Sequence, residues 1–364
     1  MNSPLTGPVH VIGAGLIGTS VALALRRAGV DVTLEDCSVE NLNEAIGMGA
    51  GRTWTAADQP ELVVVAVPPR ASGAVMAEAT IRFPLATVTD VASVKSVVLE
   101  DANVGNGELA RIVGGHPMAG RESSGPNGAR ADLLDDKLWV ITPLPGNSED
   151  DLLRVHRLVT TCGAYAVEMS PEEHDRAVAL ISHVPQLISS ALAAQLTSAD
   201  ESHVRLTGTG LRDMTRIAGS NSQMWSDIVA GNSVPIRDAL SALMNQLRDL
   251  EGTLKALAAD PSSASAVAGV EELLRTGAEG KARIPGKHGA AESPYALVPV
   301  MVSDQPGSLA QLFVAAGELG INLEDVAIEH VLGRPSGVVE LYVHPAASAA
   351  LREGLTSRGF DVRA

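Results

Sequence analysis

The sequence predicts an α/β protein: a Rossmann-type parallel sheet domain, then an all-helical domain, then a C-terminal ferredoxin-like βαββαβ unit. Three observations carry this. A glycine turn joins a strand to a helix near the N-terminus, strand-like and helical stretches alternate as far as Met169, and a helical period without strands takes over from Ser170. A short alternating stretch closes the chain.

The first unit reads without a gap from Val9 to Asp36 as strand, turn, helix and second strand. An apolar run (Val9, Val11, Ile12) leads into Gly13, Gly15 and Gly18, which fit G-x-G-x-x-G, and Gly29 ends the helix. Gly13 permits the tight turn, Gly15 lets the backbone approach a pyrophosphate, and Gly18 lets the helix pack close to the strands. The free N–H groups at the helix start, where Leu16 and Ile17 lie, favour an anion. Asp36 is placed to accept from a ribose hydroxyl. Cys37 and Ser38 follow it, with no Arg at hand for a 2′-phosphate, so the expected cofactor is NAD rather than NADP.

Next, a helical stretch from Val39 to Ala50 precedes ELVVVAVPP, an apolar run typical of a strand buried on both faces, which predicts a parallel sheet. A helix to about Phe83, a strand ending at Ser93, a helix near Val94 to Leu99 and a strand ending at Met118 continue the alternation. Ligands of such sheets bind outside the carboxyl ends of the strands, where Val67, Pro68, Ser93 and His116 fall. A polar loop from Ala119 to Asp136 and two further strands complete a dinucleotide-binding domain, residues 1–169.

At Ser170 an N-cap, Pro171 and Glu173 open a long helix that Pro185 should kink. The helical domain, 170–282, has more apolar residues than one neighbouring helix would cover, so two copies are expected to pack as a homodimer. Residues 283–293 read as a linker and 294–364 as the βαββαβ unit.

The length of 364 residues suits about two to three domains. A net charge of −16 argues against a nucleic-acid or anionic-membrane surface, and an anionic substrate would need locally placed arginines. Cys37 and Cys162 lack any metal-ligand spacing and are too few for a disulfide framework, which fits a reducing cytoplasm. No basic-then-apolar leader opens the sequence, and no run approaches 18 apolar residues, so no membrane is expected.

The sharpest chemical cluster is GGHPMAGRESSG, Gly114 to Gly125. His116 follows a buried strand there, and its ordinary pKa near 6.5 suits a general base at neutral pH. His183 and Gln186 share one face of the long helix, whereas His174, nine residues before His183, should point about 180° away, so no metal site is expected. In LRDMTRIAGSNSQMW, Arg216 can present its planar fork to a carboxylate, with Asp213 holding the guanidinium in place.

Taken together, VIGAGLIGTS, DVASVKS, HPMAGRESSG, EEHDRAVALISHVP and LRDMTRIAGSNSQMW resemble prephenate dehydrogenase, a family that includes arogenate dehydrogenases. The tail, SDQPGSLAQLF followed by GINLEDV, resembles an ACT regulatory domain. The resemblance implies that His116 accepts the proton of the substrate's C4 hydroxyl while hydride leaves C4 for NAD, and that Ser93 orients both. Loss of the ring carboxylate then makes the ring aromatic, giving 4-hydroxyphenylpyruvate from prephenate or tyrosine from arogenate.

By the same resemblance Arg216 binds a substrate carboxylate, Asp213 braces it, and Glu122, Trp225 and His183 line or support the pocket. Gln186 stands where other members carry a second His, at the substrate's side-chain end, and Thr209 interrupts a glycine triplet. Gln186 carries no charge to select an ammonium, which favours prephenate over arogenate. No helical segment precedes the glycine turn, so a fused chorismate mutase is not expected.

Tyrosine is the expected effector, at the turn of Asp304 and Gly307 and the strand starting at Asn322. Two rivals remain. Hydroxy-acid or imine-reducing dehydrogenases would normally place a catalytic Lys on the helical domain, and from Ser170 to Leu250 there is none. An NAD-linked amino-acid sensor would give His116 no reason to sit beside Ser93.

Overall fold

The structure, a computed structural model, describes residues 5, 7–105, 108–120, 125–284, 295–330 and 336–363. It divides into two compact units, Met1–Asn245 and Gln246–Ala364.

The first unit opens with β1 (Val9–Ile12), α1 (Leu16–Arg27), β2 (Val32–Glu35), α2 (Val39–Gly47), β3 (Arg52–Thr53), β4 (Leu62–Val65) and α3 (Pro69–Arg82). It continues through β5 (Thr87–Asp90), α4 (Ser96–Val104), β6 (Ile112–Pro117), β7 (Leu138–Thr142), α5 (Glu149–Thr161) and β8 (Tyr165–Glu168). The strands form one sheet in the order β3-β2-β1-β4-β5-β6-β7-β8. β4 is buried along its whole length, as its unbroken apolar run requires, because apolar layers cover both faces. The order reverses between β1 and β4, so their carboxyl ends open a crevice.

The sheet is not wholly parallel, contrary to the expectation from β4. β6 and β7 pair antiparallel, with His116 opposite Val140. The segment between them forms only a short 3₁₀ turn at Pro126–Gly128 among its described residues. A parallel return needs a crossover that is usually an α-helix, and without one the chain comes back in the opposite sense.

The helical part begins with α6 (Pro171–Val178), where the Ser170 hydroxyl accepts from the Glu173 N–H at 3.1 Å. A π turn, Ala179–His183, joins it to α7 (Val184–Gln195), with Pro185 in the first turn of α7. Then come α8 (Glu201–Val204), α9 (Thr209–Thr215), a 3₁₀ turn (Arg216–Gly219), α10 (Ser222–Gly231) and α11 (Ser233–Ala259). By length and composition the helix Pro171–Ser198 would suffice to cross a membrane. Its polar residues His174, Asp175, His183 and Gln186 are buried within the fold. Cys37 and Cys162 are free thiols.

The second unit contains α12 (Ala264–Lys281), β9 (Ala296–Ser303), α13 (Ser308–Glu318), β10 (Asp325–His330), β11 (Ser336–Val343), α14 (Pro345–Ser357) and β12 (Asp361–Val362). Its antiparallel sheet runs β10-β11-β9-β12. Alternate residues of β9 and β11 (Val298, Val300, Val339, Leu341) meet Leu312, Leu351 and Leu355 of the two helices in one apolar core.

Candidate active site

A cleft of about 570 Å³ lies over the carboxyl ends of β1 and β4, lined by Gly13, Gly15, Asp36, Val67, Pro68 and Arg82 among others. Gly13 has φ +108°, and a Cβ there would lie 2.3 Å from the Ala66 carbonyl oxygen, so the turn admits only glycine. A Cβ on Gly18 would lie 1.9 Å from the Gly13 carbonyl oxygen, which is the close helix–strand packing expected of the third glycine. Gly15 differs: a Cβ there meets no protein atom within 4 Å. The space above Gly15 is therefore free for a ligand, at the start of α1, and suits a pyrophosphate. Leu16, Ile17 and Gly18 are not among the residues that line the cleft.

Asp36 accepts from the Ala14 N–H at 2.6 Å and the Ser38 N–H at 2.7 Å, which fixes its carboxylate at the cleft edge. The expectation that no arginine stands near needs correction. Arg82, at the end of α3, lines the same cleft and lies 4.0 Å over the Trp54 ring. Its guanidinium forms a bidentate pair with Glu35 at 3.1 and 2.7 Å, so its donors are directed at a neighbouring carboxylate. The sequence around Asp36 gave no sign of Arg82, which is 46 residues further on.

A buried ion pair ties the ends of β5 and β6. Asp90 accepts from the Gly115 N–H and the Ala92 N–H, each at 3.0 Å, and pairs with Lys95. Lys95 also donates to the Gly115 carbonyl at 2.6 Å. Burial pushes its ammonium pKa down and the Asp90 carboxylate opposes this. Removing one partner of such a pair typically costs about 3–5 kcal/mol, because the other charge stays buried. The pair fixes the backbone immediately before His116.

The His116 Nδ1 lies 2.8 Å from the His174 Nε2, with the two rings edge to face. The His174 Nδ1 lies 2.9 Å from the Asp175 carboxylate. Asp175 also caps α4, accepting from the Lys95 N–H at 2.9 Å and the Ser96 N–H at 2.8 Å. Burial would raise the Asp175 pKa, but the bonds from His174, Ser96 and Lys95 hold it below its ordinary value. Burial, with His174 and Lys95 nearby, lowers the His116 pKa well below its ordinary value. His116 is thus a neutral imidazole at neutral pH.

The expectation that His174 points away from His183 needs correction: His174 joins the His116 cluster, within electrostatic reach of His183. The π turn between them supplies the reason. Its wider winding sets the following helix back by roughly 100° relative to regular α-helix.

Asn232 donates to the Asp175 carbonyl at 2.8 Å and lies 3.0 Å from the His183 Nδ1. Because a carbonyl only accepts, the amide nitrogen faces both, and the His183 Nδ1 must accept. The remaining proton sits on the His183 Nε2. Burial lowers the pKa of His183 to about 4, and Trp225 stands edge to face with its ring.

Other expectations fare differently. Ser93 is half-buried after β5 but makes no hydrogen bond to His116, whose ring is held by His174 instead. Asp213 and Arg216 are exposed, and no ion pair joins them among the described residues. The spacing that suggested a brace belongs to a regular helix, whereas Arg216 begins a 3₁₀ turn. The Gln186 amide, expected to face substrate, donates to the Ile217 carbonyl at 2.9 Å and so holds the turn that carries Arg216. Glu122 lies outside the described residues. Lys95, Asp90, His174, Asp175, Asn232 and Arg82 were not singled out as site residues. The DVASVKS and EEHDR stretches, which contain four of them, were the available signal.

Two family models match consecutive parts of the chain: prephenate dehydrogenase, nucleotide-binding domain, over residues 21–168, and prephenate dehydrogenase, dimerization domain, over residues 170–264. "Probable prephenate dehydrogenase NovF" of Streptomyces niveus is 36% identical over 351 residues, 96% of this chain and 97% of that protein. The cyclohexadienyl dehydrogenase of Zymomonas mobilis is 31% identical over 257 residues, 66% of this chain and 87% of that protein. Among solved structures, prephenate dehydrogenase from A. aeolicus in complex with hydroxyphenyl propionate and NAD+ is similar with a TM-score of 0.65 and 28% identity, covering 77% of this chain and 99% of that one.

Proposed function

The chain belongs to the prephenate dehydrogenase family, and from that premise we propose how its geometry performs the reaction, the NAD-dependent oxidative decarboxylation of prephenate to 4-hydroxyphenylpyruvate in tyrosine biosynthesis. The observation that carries the reading is His116, neutral and held by its Nδ1 at the end of β6, on the sheet that carries the crevice over β1 and β4. Bound NAD, for which Gly13, Gly15, Asp36, Val67 and Pro68 form the cradle, supplies the hydride acceptor. His116 takes the C4 hydroxyl proton as hydride leaves C4. Loss of the ring carboxylate as carbon dioxide then yields the aromatic product.

The His183 Nε2–H is a donor for a substrate oxygen. Arg216, with Trp225 and Glu122 from the resemblance, completes the substrate side, and Gln186 supports it by holding the Arg216 turn. The similarity to prephenate dehydrogenases supports prephenate over arogenate. A 340 nm assay with the two substrates in parallel tests this, and arogenate used tenfold better than prephenate would reverse the assignment. His116→Asn should lower kcat by about 10²- to 10⁴-fold with substrate binding largely kept. A kcat within a few-fold of the parent would mean another base.

A homodimer through the helical part is supported by the dimerization-domain match and by exposed apolar residues such as Leu180 (65% exposed) and Ile181 (63%). The cytoplasm is the proposed location. For the second unit, the order β10-β11-β9-β12 with helices after the first and third strands supports a ferredoxin-like, ACT-type fold that binds tyrosine. Asp304 and Gly307 follow β9, while Asn322 precedes β10 at the opposite end of the sheet. Only a second copy, turned end for end, would bring Asn322 beside Gly307, which supports an effector site shared between two units.

A further inference from the structure

We propose that His174 and Asp175 are positioning residues that hold His116 in the one tautomer able to take the substrate's proton; this rests on the reading of His116 as the base. The proton positions follow from the anchor inward. The Asp175 carboxylate can only accept, and it already takes the N–H groups of Lys95 and Ser96. The His174 nitrogen that faces it at 2.9 Å, Nδ1, therefore carries a hydrogen. In a neutral His174 the other nitrogen, Nε2, is then a bare acceptor. It lies 2.8 Å from the His116 Nδ1, and two lone pairs do not face each other at that distance, so the His116 Nδ1 carries the hydrogen. The His116 Nε2 is left bare, which is the state a general base needs.

The arrangement also fixes the ring. The dyad is enclosed: His174 is fully buried, Lys95 is neutralised by Asp90 beneath Gly115, and His183 stands on the following turn. A further proton on the dyad would reverse the His174–His116 bond and place a hydrogen on the His116 Nε2, abolishing the base. The base thus takes its orientation from α6, outside the sheet that carries it.

His174→Leu removes the acceptor, whereas His174→Gln returns an amide oxygen able to accept from the His116 Nδ1–H. Expected for His174→Leu is a kcat about 10- to 100-fold lower, by analogy with the loss of a partner that orients a metal-bound histidine, with KM for prephenate and affinity for NAD within threefold. His174→Gln should recover at least tenfold of any loss that reaches 100-fold. Side-chain ¹⁵N NMR of histidine-labelled enzyme, with His116 assigned by comparison with His116→Asn, should show His116 protonated at Nδ1 in the parent and in His174→Gln but not in His174→Leu. A parent with the hydrogen on the His116 Nε2, or a folded His174→Leu with parental kcat, overturns the proposal. If His174→Leu does not fold, the parent and the Gln variant still decide it. Turnover of neither prephenate nor arogenate by the parent would defeat the functional reading, while the NMR result still judges the tautomer.

Discussion

At the scale of single residues, the geometry predicts that cofactor choice rests on Glu35 and Asp36 together. Arg82 is within the cleft but engaged by Glu35. A 2′-phosphate would meet Asp36 and find the Arg82 guanidinium already engaged. The double variant Glu35→Gln with Asp36→Ser should raise the NADP-to-NAD ratio of kcat/KM by at least tenfold, and adding Arg82→Ala should cancel the gain; an unchanged ratio in the double variant would exclude Arg82 from the choice. Histidine burial predicts acid sensitivity. Burial lowers the pKa of His10 and of His183 to about 4, below the unfolded value near 6.5. Well above 6.5 both are neutral in either state and contribute no pH dependence. As pH falls from 6.5 towards 4, the unfolded chain binds protons that the folded chain refuses, and stability declines by up to about 2 kcal/mol per histidine at pH 5. Urea midpoints that do not differ between pH 7 and pH 5 would show that neither histidine is held neutral. Gly13, Gly15, Asp36 and His116 were legible because each sits in a contiguous motif. His174, Asp175 and Arg82 act on partners 58, 80 and 47 residues away, a separation that no local pattern encodes.

At the scale of elements, the π turn decides which side chains share the site. Pro185 has no N–H to give the Ile181 carbonyl, and the Val184 N–H reaches back five residues to the Ala179 carbonyl instead. Pro185→Ala restores the donor and favours regular winding, which would rotate His174 and His183 apart by roughly 100°. The expected result is unchanged or higher Tm with kcat reduced at least tenfold; full activity would mean that packing, not Pro185, maintains the turn. The sequence predicted a kink at this proline but not its form, because proline removes one bond without specifying how the ladder closes around the gap. The β6–β7 reversal was hidden for a related reason: a strand's apolar pattern reports how buried it is and not the direction of its neighbour.

At the scale of the whole molecule, the two sheets have separate apolar cores, and the proposed role of the second allows a test that leaves the first intact. Every residue of the His116 cluster belongs to the unit Met1–Asn245, and the second sheet has its own apolar core. The proposed tyrosine site uses Asp304, Gly307 and Asn322, none of which belongs to the cleft or to that cluster. From a site on the second unit, tyrosine can inhibit only by binding the less active conformation more tightly than the active one, whatever its absolute affinity. A chain ending at Gly289 should therefore retain kcat and KM for prephenate within a few-fold while losing the tyrosine response. In the full-length enzyme, Gly307→Val should weaken tyrosine inhibition with basal turnover unchanged, because φ +90° at the start of α13 excludes a β-branched side chain. Inhibition by tyrosine that persists unchanged in the shortened chain would place the effector in the active site as a product analogue, and full-length enzyme indifferent to tyrosine would leave the second sheet with a different ligand.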